Sequence, residues 1–135
     1  MTDNARHVAA TFGTRRVVLL DSITWIEDAD AGHVVVSGSH GGRSAGEYAI
    51  RVPLALCCLN DAGVGKDRAG IVALDMLAAR GTPAVAYGHM SARIGEARDA
   101  WEHGVITHVN APAAAMGLAP GESLPEAIAR CATSL

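Results

Sequence analysis

A single lysine, a single phenylalanine and no apolar run near the ~20 residues of a membrane-crossing helix set the first limits on this 135-residue chain. Aromatic residues make up 4 % of it, and eleven basic residues face fourteen acidic ones, for a formal net charge of −3. Such a chain offers neither a phosphate-neutralising surface nor a base-stacking platform, so no nucleic acid is expected as a partner. Cysteine is also scarce: Cys57, Cys58 and Cys131 are an odd count, and two of them are adjacent. That is no disulfide framework, and a reducing cytoplasm is the expected location. Met1 to Arg6 is polar with no apolar segment behind it, so no signal peptide is expected.

What the chain does contain is apolar. Half of its residues are hydrophobic and its mean hydropathy is positive. That suits one domain whose central element is buried on both faces. Residues 1–14 read as a flexible N-terminal segment and residues 15–135 as a single α/β domain. Short apolar runs near 17–20, 34–37, 54–59, 84–87 and 105–109 read as buried strands. Helical patterns alternate with them. Ser91 is an expected N-cap for a helix that Gly104 stops, Asn110 caps a short helix to Met116, and Ser123 to Glu126 opens a last one. The expected fold is a three-layer α/β domain with a mainly parallel sheet of about five strands, flavodoxin-like or Rossmann-like. Trp25 and Trp101 read as exposed, and with so apolar a composition they predict a homo-oligomer.

The polar residues are placed unevenly. Each expected strand runs into a polar cluster at its C-terminal end: Asp21-Ser22, then Ser37 to Gly42, then Asn60-Asp61, then His89-Ser91-Arg93, then His108-Asn110. In an open parallel sheet those ends share one rim, where ligands bind. The most glycine-dense polar turn, Asn60 to Gly70, holds the single lysine. An ammonium is a compact charge that can lose its proton when desolvated. Lys66, set beside Asp61 or Asp67, is therefore the expected acid/base or imine-forming group, with His40 as its partner and Asp61 as third member. Ser39, Gly41, Gly42, Asn60, Gly63, Gly65, Asp67, His89, Ser91, Arg93, His108 and Asn110 are the expected ligand-binding residues. Arg93 and the helix N-termini after the turns would hold an anion. The bland counterpart is that glycines make turns, Ser91 and Asn110 cap helices, and a strand-end histidine bonds a loop carbonyl.

Phosphate-binding motifs do not match. Asn60 stands where a P-loop needs its first glycine and Asp67 where it needs a hydroxyl, while Gly63, Gly65 and Arg68 break the dinucleotide pattern at its third glycine. No cofactor is expected. The run Ser37 to Gly42 resembles, over six residues, the Ser-Gly-x-x-Gly-Gly turn of methylglyoxal synthase, a length that carries no function across. His40-Gly41 followed by a strand with Cys57 and Cys58 resembles the His-Gly and Cys elements of caspase-like peptidases, which implies a cysteine hydrolase using His40 and Cys58.

The leading expectation is a small-molecule enzyme, hydrolase or lyase, acting on a carboxylate-, amide- or phosphate-bearing metabolite. The alternatives are a non-catalytic small-anion-binding module or subunit of a larger enzyme, the cysteine hydrolase, and a three-His metal site of His40, His89 and His108.

Overall fold

A computed structural model describes residues 6–132. Its six strands are β1 (Arg6–Phe12), β2 (Arg15–Leu20), β3 (Val34–His40), β4 (Leu56–Asn60), β5 (Ala84–Tyr87) and β6 (Ile106–Val109). The helices are α1 (Arg43–Ala49), α2 (Val72–Ala78), α3 (Ala97–His103), α4 (Ala111–Ala115) and α5 (Leu124–Ala132). All strands join one mixed sheet in the sequential order β1-β2-β3-β4-β5-β6. The four central strands are parallel, and β1 and β6 are antiparallel edges. A sequential order has no reversal, whereas flavodoxin-like and Rossmann-like sheets are defined by one.

The apolar runs form strands because both of their faces are covered. Val17 and Leu19 of β2, Val34 and Val36 of β3, Leu56 and Cys58 of β4, and Val85 and Tyr87 of β5 point into one core, with Leu124, Ala127 and Ile128 of α5. The alternate residues Val18, Leu20, Val35, Cys57, Leu59, Ala84 and Ala86 point into the other, with Ala45, Ala49, Leu74 and Leu77 of α1 and α2. This is the two-residue strand period applied to a sheet with no wet face. Parallel strands added in one direction by right-handed crossovers put their connections on one face. The opposite face is left for the chain that follows β5, and α3, α5 and their loops cover it.

Residues 6–14 are more structured than their composition predicts. Arg6–Phe12 pair with β2 through the tight turn at Gly13, whose φ of 66° is one glycine adopts freely. Arg6 anchors this edge, donating to both carboxylate oxygens of Asp30 at 2.6 and 3.0 Å and to the Trp25 carbonyl at 3.0 Å. Residues 1–5 lie outside the described residues. Trp101 is half-buried against the α5-side core, while Trp25 is exposed as expected.

Two boundaries differ from the sequence expectation for one reason. The strand expected to stop at residue 37 runs to His40, and the helix expected from Ser91 begins only at Ala97. The intervening segment 88–96 crosses from β5 back over β4 and β3. On the way the Ala92 carbonyl accepts from Asn60 Nδ2 at 3.0 Å, and Gly95 donates its N–H to the Gly38 carbonyl at 2.7 Å. Asp21 then receives the Ala97 N–H at 2.9 Å, capping α3 from the end of β2. Gly38 is what permits the crossing, because a Cβ there would lie 2.6–2.7 Å from backbone atoms of Gly95, Asp21 and Glu96. Gly38→Ala should therefore cost about 2–3 kcal/mol, the overpacking range for a site bounded by main chain. Urea denaturation would read it, and a loss under about 0.5 kcal/mol would mean that the segment yields easily.

Candidate functional site

Asp61 follows the last residue of β4 and is fixed to the sheet by its own N–H, which donates to the Tyr87 carbonyl at 2.8 Å. Its carboxylate is buried, with 5 % of the residue exposed. One oxygen accepts from Gly63 N–H at 2.8 Å, from His89 N–H at 3.0 Å and from His89 Nδ1 at 3.1 Å. The other accepts from the Thr107 hydroxyl at 2.9 Å. Burial pushes this carboxyl upward. The bonds from Gly63, Thr107 and His89 together outweigh it and hold the group below the usual aspartate range.

The His89 imidazole stands against the turn after β4, where a Cβ on Gly63 would lie 3.4 Å from its Cε1. An ionised carboxylate only accepts, so Nδ1 donates, and in the neutral ring the lone pair is then on Nε2. The His89 side chain is 45 % exposed, and Nε2 has no hydrogen-bond partner among the described residues. His89 lines a cleft of about 240 Å³ together with Met90, Ser91, Ala92, Arg93 and Asp99. Arg93, 77 % exposed, touches Glu96 only loosely at 3.7 Å, which leaves its guanidinium available to an anion. Asp99 is engaged on both oxygens, by Arg93 N–H at 2.9 Å and by His103 at 3.0 Å, and these bonds draw its carboxyl below the usual range.

The turn after Asp61 is strained. Ala62, Val64, Asp67 and Arg68 have φ of 51°, 68°, 57° and 60°, the left-handed region that costs an L-residue about 1–2 kcal/mol. Asn60 and Asp61 impose it: Ala62 N–H donates to Asn60 Oδ1 at 2.8 Å and Val64 N–H to the Asp61 carbonyl at 2.7 Å. The helix after this turn starts at Val72, and Lys66 lies six residues before it, in an irregular stretch interrupted by the left-handed Asp67 and Arg68. Lys66 is exposed and makes no hydrogen bond or ion pair among the described residues. The expectation of a desolvated Lys66 beside Asp61 or Asp67 is thus corrected. The Asp61 carboxylate is already committed to His89 and Thr107, and Asp67 is itself exposed.

The remaining expected residues divide. His40 lies in a separate cleft of about 110 Å³ with Ile23, Thr24, Ser39, Ser44, Ala45 and Tyr48, its ring packed over Gly42. Ser39 Oγ accepts the Ile23 N–H at 3.0 Å, and Gly41 ties its N–H to the Asn60 carbonyl at 2.9 Å and its own carbonyl to Ala73 at 2.8 Å. Asn60 is buried and fully used in holding Ala62 and Ala92. Gly65, with φ 73°, serves the strained turn. Ser91 caps no helix; its hydroxyl donates to the Gly88 carbonyl at 2.7 Å and accepts the Val105 N–H at 3.0 Å.

Asn110 is a correction. Because β6 runs antiparallel, its C-terminal end lies at the opposite rim, where Asn110 Nδ2 donates to Leu74 and Thr82 carbonyls and Oδ1 accepts from Ala84 and Ala113. It does cap α4, as the sequence predicts. His108, one residue in from the rim beside Ala86, lies 3.0 Å from Thr107 Oγ1. Among the described residues no three His, Cys, Asp or Glu side chains gather as metal ligands, so His40, His89 and His108 do not meet at one point. The helix N-termini expected to hold an anion belong to short helices, and that of α3 is taken by Asp21.

The cysteine pair is placed in the core. Cys57 and Cys58 pair with Ala84 and Val85 in mid-sheet and are fully buried. Burial pushes the Cys57 thiol up to about 12, and pushes Cys58 well above the ordinary value with neighbouring Cys57 and Cys131 adding to the rise. Neither thiol can form a thiolate at an accessible surface, which removes the geometric basis for the peptidase resemblance. Thr107 is the residue that sequence reading missed. A threonine in a β-branched run carries no signal until the direction of β6 is known.

No protein family, curated protein or solved structure matches this chain. Among the described residues no helix is long and apolar enough to cross a membrane.

Asp61 makes a pH-dependent contribution to stability. Its folded pKa lies below the unfolded value of about 3.9, so the contribution is complete above that pH and is lost as pH falls through the lower folded value. Asp61→Asn should cost about 2 kcal/mol at pH 7, since the amide places a donor against one of the donors the carboxylate now accepts. The gap to wild type should narrow below about pH 4. Paired urea titrations across that window check it, and a gap that does not depend on pH would refute the role.

Proposed function

We propose that this chain is a small-molecule enzyme that transfers a proton to or from a metabolite bearing a carboxylate, amide or phosphate group, with His89 as the acid/base. The observation that carries the reading is a buried carboxylate bonded to Nδ1 of a half-exposed imidazole whose Nε2 has no partner among the described residues, on a residue that lines a polar cleft. In that arrangement Nε2 accepts the proton, Asp61 stabilises the imidazolium that results, and Arg93 holds the anionic group. The acid/base role foreseen for Lys66 and His40 thus passes to His89. Lys66, projecting from the turn that abuts His89, serves to attract the anion.

The second reading is a non-catalytic small-anion-binding module or a subunit of a larger enzyme. The openness of the cleft around Arg93 and His89 favours it. Either reading goes with a cytoplasmic chain, an expectation that three buried free thiols support, and with a homo-oligomer, which the exposed Met90, Ile94 and Trp25 support.

Incubation with a panel of small carboxylates, amides and phosphate esters in D2O, followed by NMR, tests the proposal. Turnover or C–H exchange that disappears in His89→Gln, with phosphate or malonate still shifting the Arg93 signals, is the expected result. Anion binding with no chemical change across the panel moves the assignment to the second reading. Lys66→Met should weaken anion binding several-fold while Lys66→Arg retains it. Loss of turnover at full binding in Lys66→Arg would instead restore lysine to the chemistry.

The core position of Cys58 gives an independent check. Cys58→Ala should keep activity within a few-fold and lower stability by about 1 kcal/mol or less. Abolished turnover in a folded Cys58→Ala would bring back the thiol mechanism.

A further inference from the structure

The Asp61–His89 pair does not end at Asp61. The second carboxylate oxygen accepts from Thr107 Oγ1 at 2.9 Å, and the same Oγ1 lies 3.0 Å from Nδ1 of His108. Four side chains from the end of β4, the loop after β5 and β6 are thereby linked in series. We infer that His108, Thr107, Asp61 and His89 form one directed hydrogen-bonded chain, in which Thr107 and His108 are positioning residues that hold the Asp61 carboxylate and thereby the Nδ1–H tautomer of His89. The inference rests on reading His89 as the acid/base group of the site.

The direction follows from the chemistry of each link. Asp61 is ionised, so it accepts at both oxygens, and the proton between it and His89 sits on Nδ1. The Thr107 hydroxyl has one proton and three groups in reach that could take it, Asp61 Oδ2 at 2.9 Å, His108 Nδ1 at 3.0 Å and the Ala86 carbonyl at 3.3 Å. The shortest, charge-assisted bond takes it. With its proton committed, Oγ1 presents only lone pairs to His108, so Nδ1 of His108 must be the donor. His108 therefore carries its proton on Nδ1 whether neutral or cationic. An imidazole free in water favours the opposite, Nε2–H form, so this requirement is specific.

The consequence for His89 is orientational. With Oδ1 held by the Gly63 and His89 N–H groups and Oδ2 by Thr107 of the sheet, the carboxylate is gripped at both ends and does not turn about its Cβ–Cγ bond. Oδ1 then stays on His89 Nδ1, and Nε2 remains the open nitrogen. A hydroxyl that merely filled space beside Asp61 would leave the state of both rings unaffected.

Long-range proton–nitrogen NMR of the full chain reads ring tautomers directly. The expected result in wild type is the Nδ1–H form at both His89 and His108. Thr107→Val, of matched shape, should turn both rings into tautomer mixtures, and Thr107→Ser should restore the wild-type pattern. An Nε2–H form of His108 in wild type overturns the inference, and this readout stands even if the valine variant fails to fold. Rings unchanged by Thr107→Val, or a change confined to His108, overturn it as well, because the chain then does not reach His89. Turnover plays no part in this readout, so its failure would leave the proposed proton transfer to be judged by His89→Gln.

Discussion

A carboxylate taken out of water must be surrounded by donors, and at Asp61 those donors come from three separate parts of the chain. Gly63 belongs to the turn after β4, His89 to the crossing segment after β5, and Thr107 to the antiparallel edge β6. Leaving the charge unpaired would cost several kcal/mol, far more than any one of these bonds contributes net. The requirement therefore acts as a constraint on all three segments together. It ties Gly63 of the turn, the His89 imidazole and Thr107 of β6 to the end of β4, while the Asp61 carbonyl holds the left-handed turn through the Val64 N–H. The neighbouring Asn60 reinforces it by clamping Ala62 on one side and Ala92 on the other.

Much of the sheet was legible because burial on both faces leaves a blunt signature. Val17 to Leu20, Val34 to Val36 and Ala84 to Tyr87 are continuous apolar runs, and each is a strand. Where a strand has one wet side or an unusual neighbour the signature fails. β1 is an edge, exposed at His7, Val8 and Thr11, and its composition reads as loop. Ser37 to Ser39 reads as a turn, yet it is strand, because its glycine serves a backbone crossing rather than a bend.

The site was legible in kind and less so in its members. Asp61, His89 and Arg93 were foreseen at strand ends, and the structure brings them to one rim. Lys66 attracted attention by its rarity, but rarity says nothing about solvation, and the irregular turn before α2 leaves it in water. Asn110 was misplaced because a four-residue strand has the same sequence pattern in either direction. The residue that orients the carboxylate, Thr107, becomes visible only once that direction is known.

The sequential strand order also bears on when the site comes into being. Each strand pairs with its neighbour in the chain, so the sheet can be laid down from the N-terminus as the polypeptide emerges, with little loop to close at each step. The rim follows a different schedule. Its carboxylate is made early, on β4, but gains its imidazole only with β5's following loop and its hydroxyl only with β6, while α5 seals the face behind them last. A nascent chain thus carries most of its sheet before the Asp61 carboxylate has gathered all of its donors.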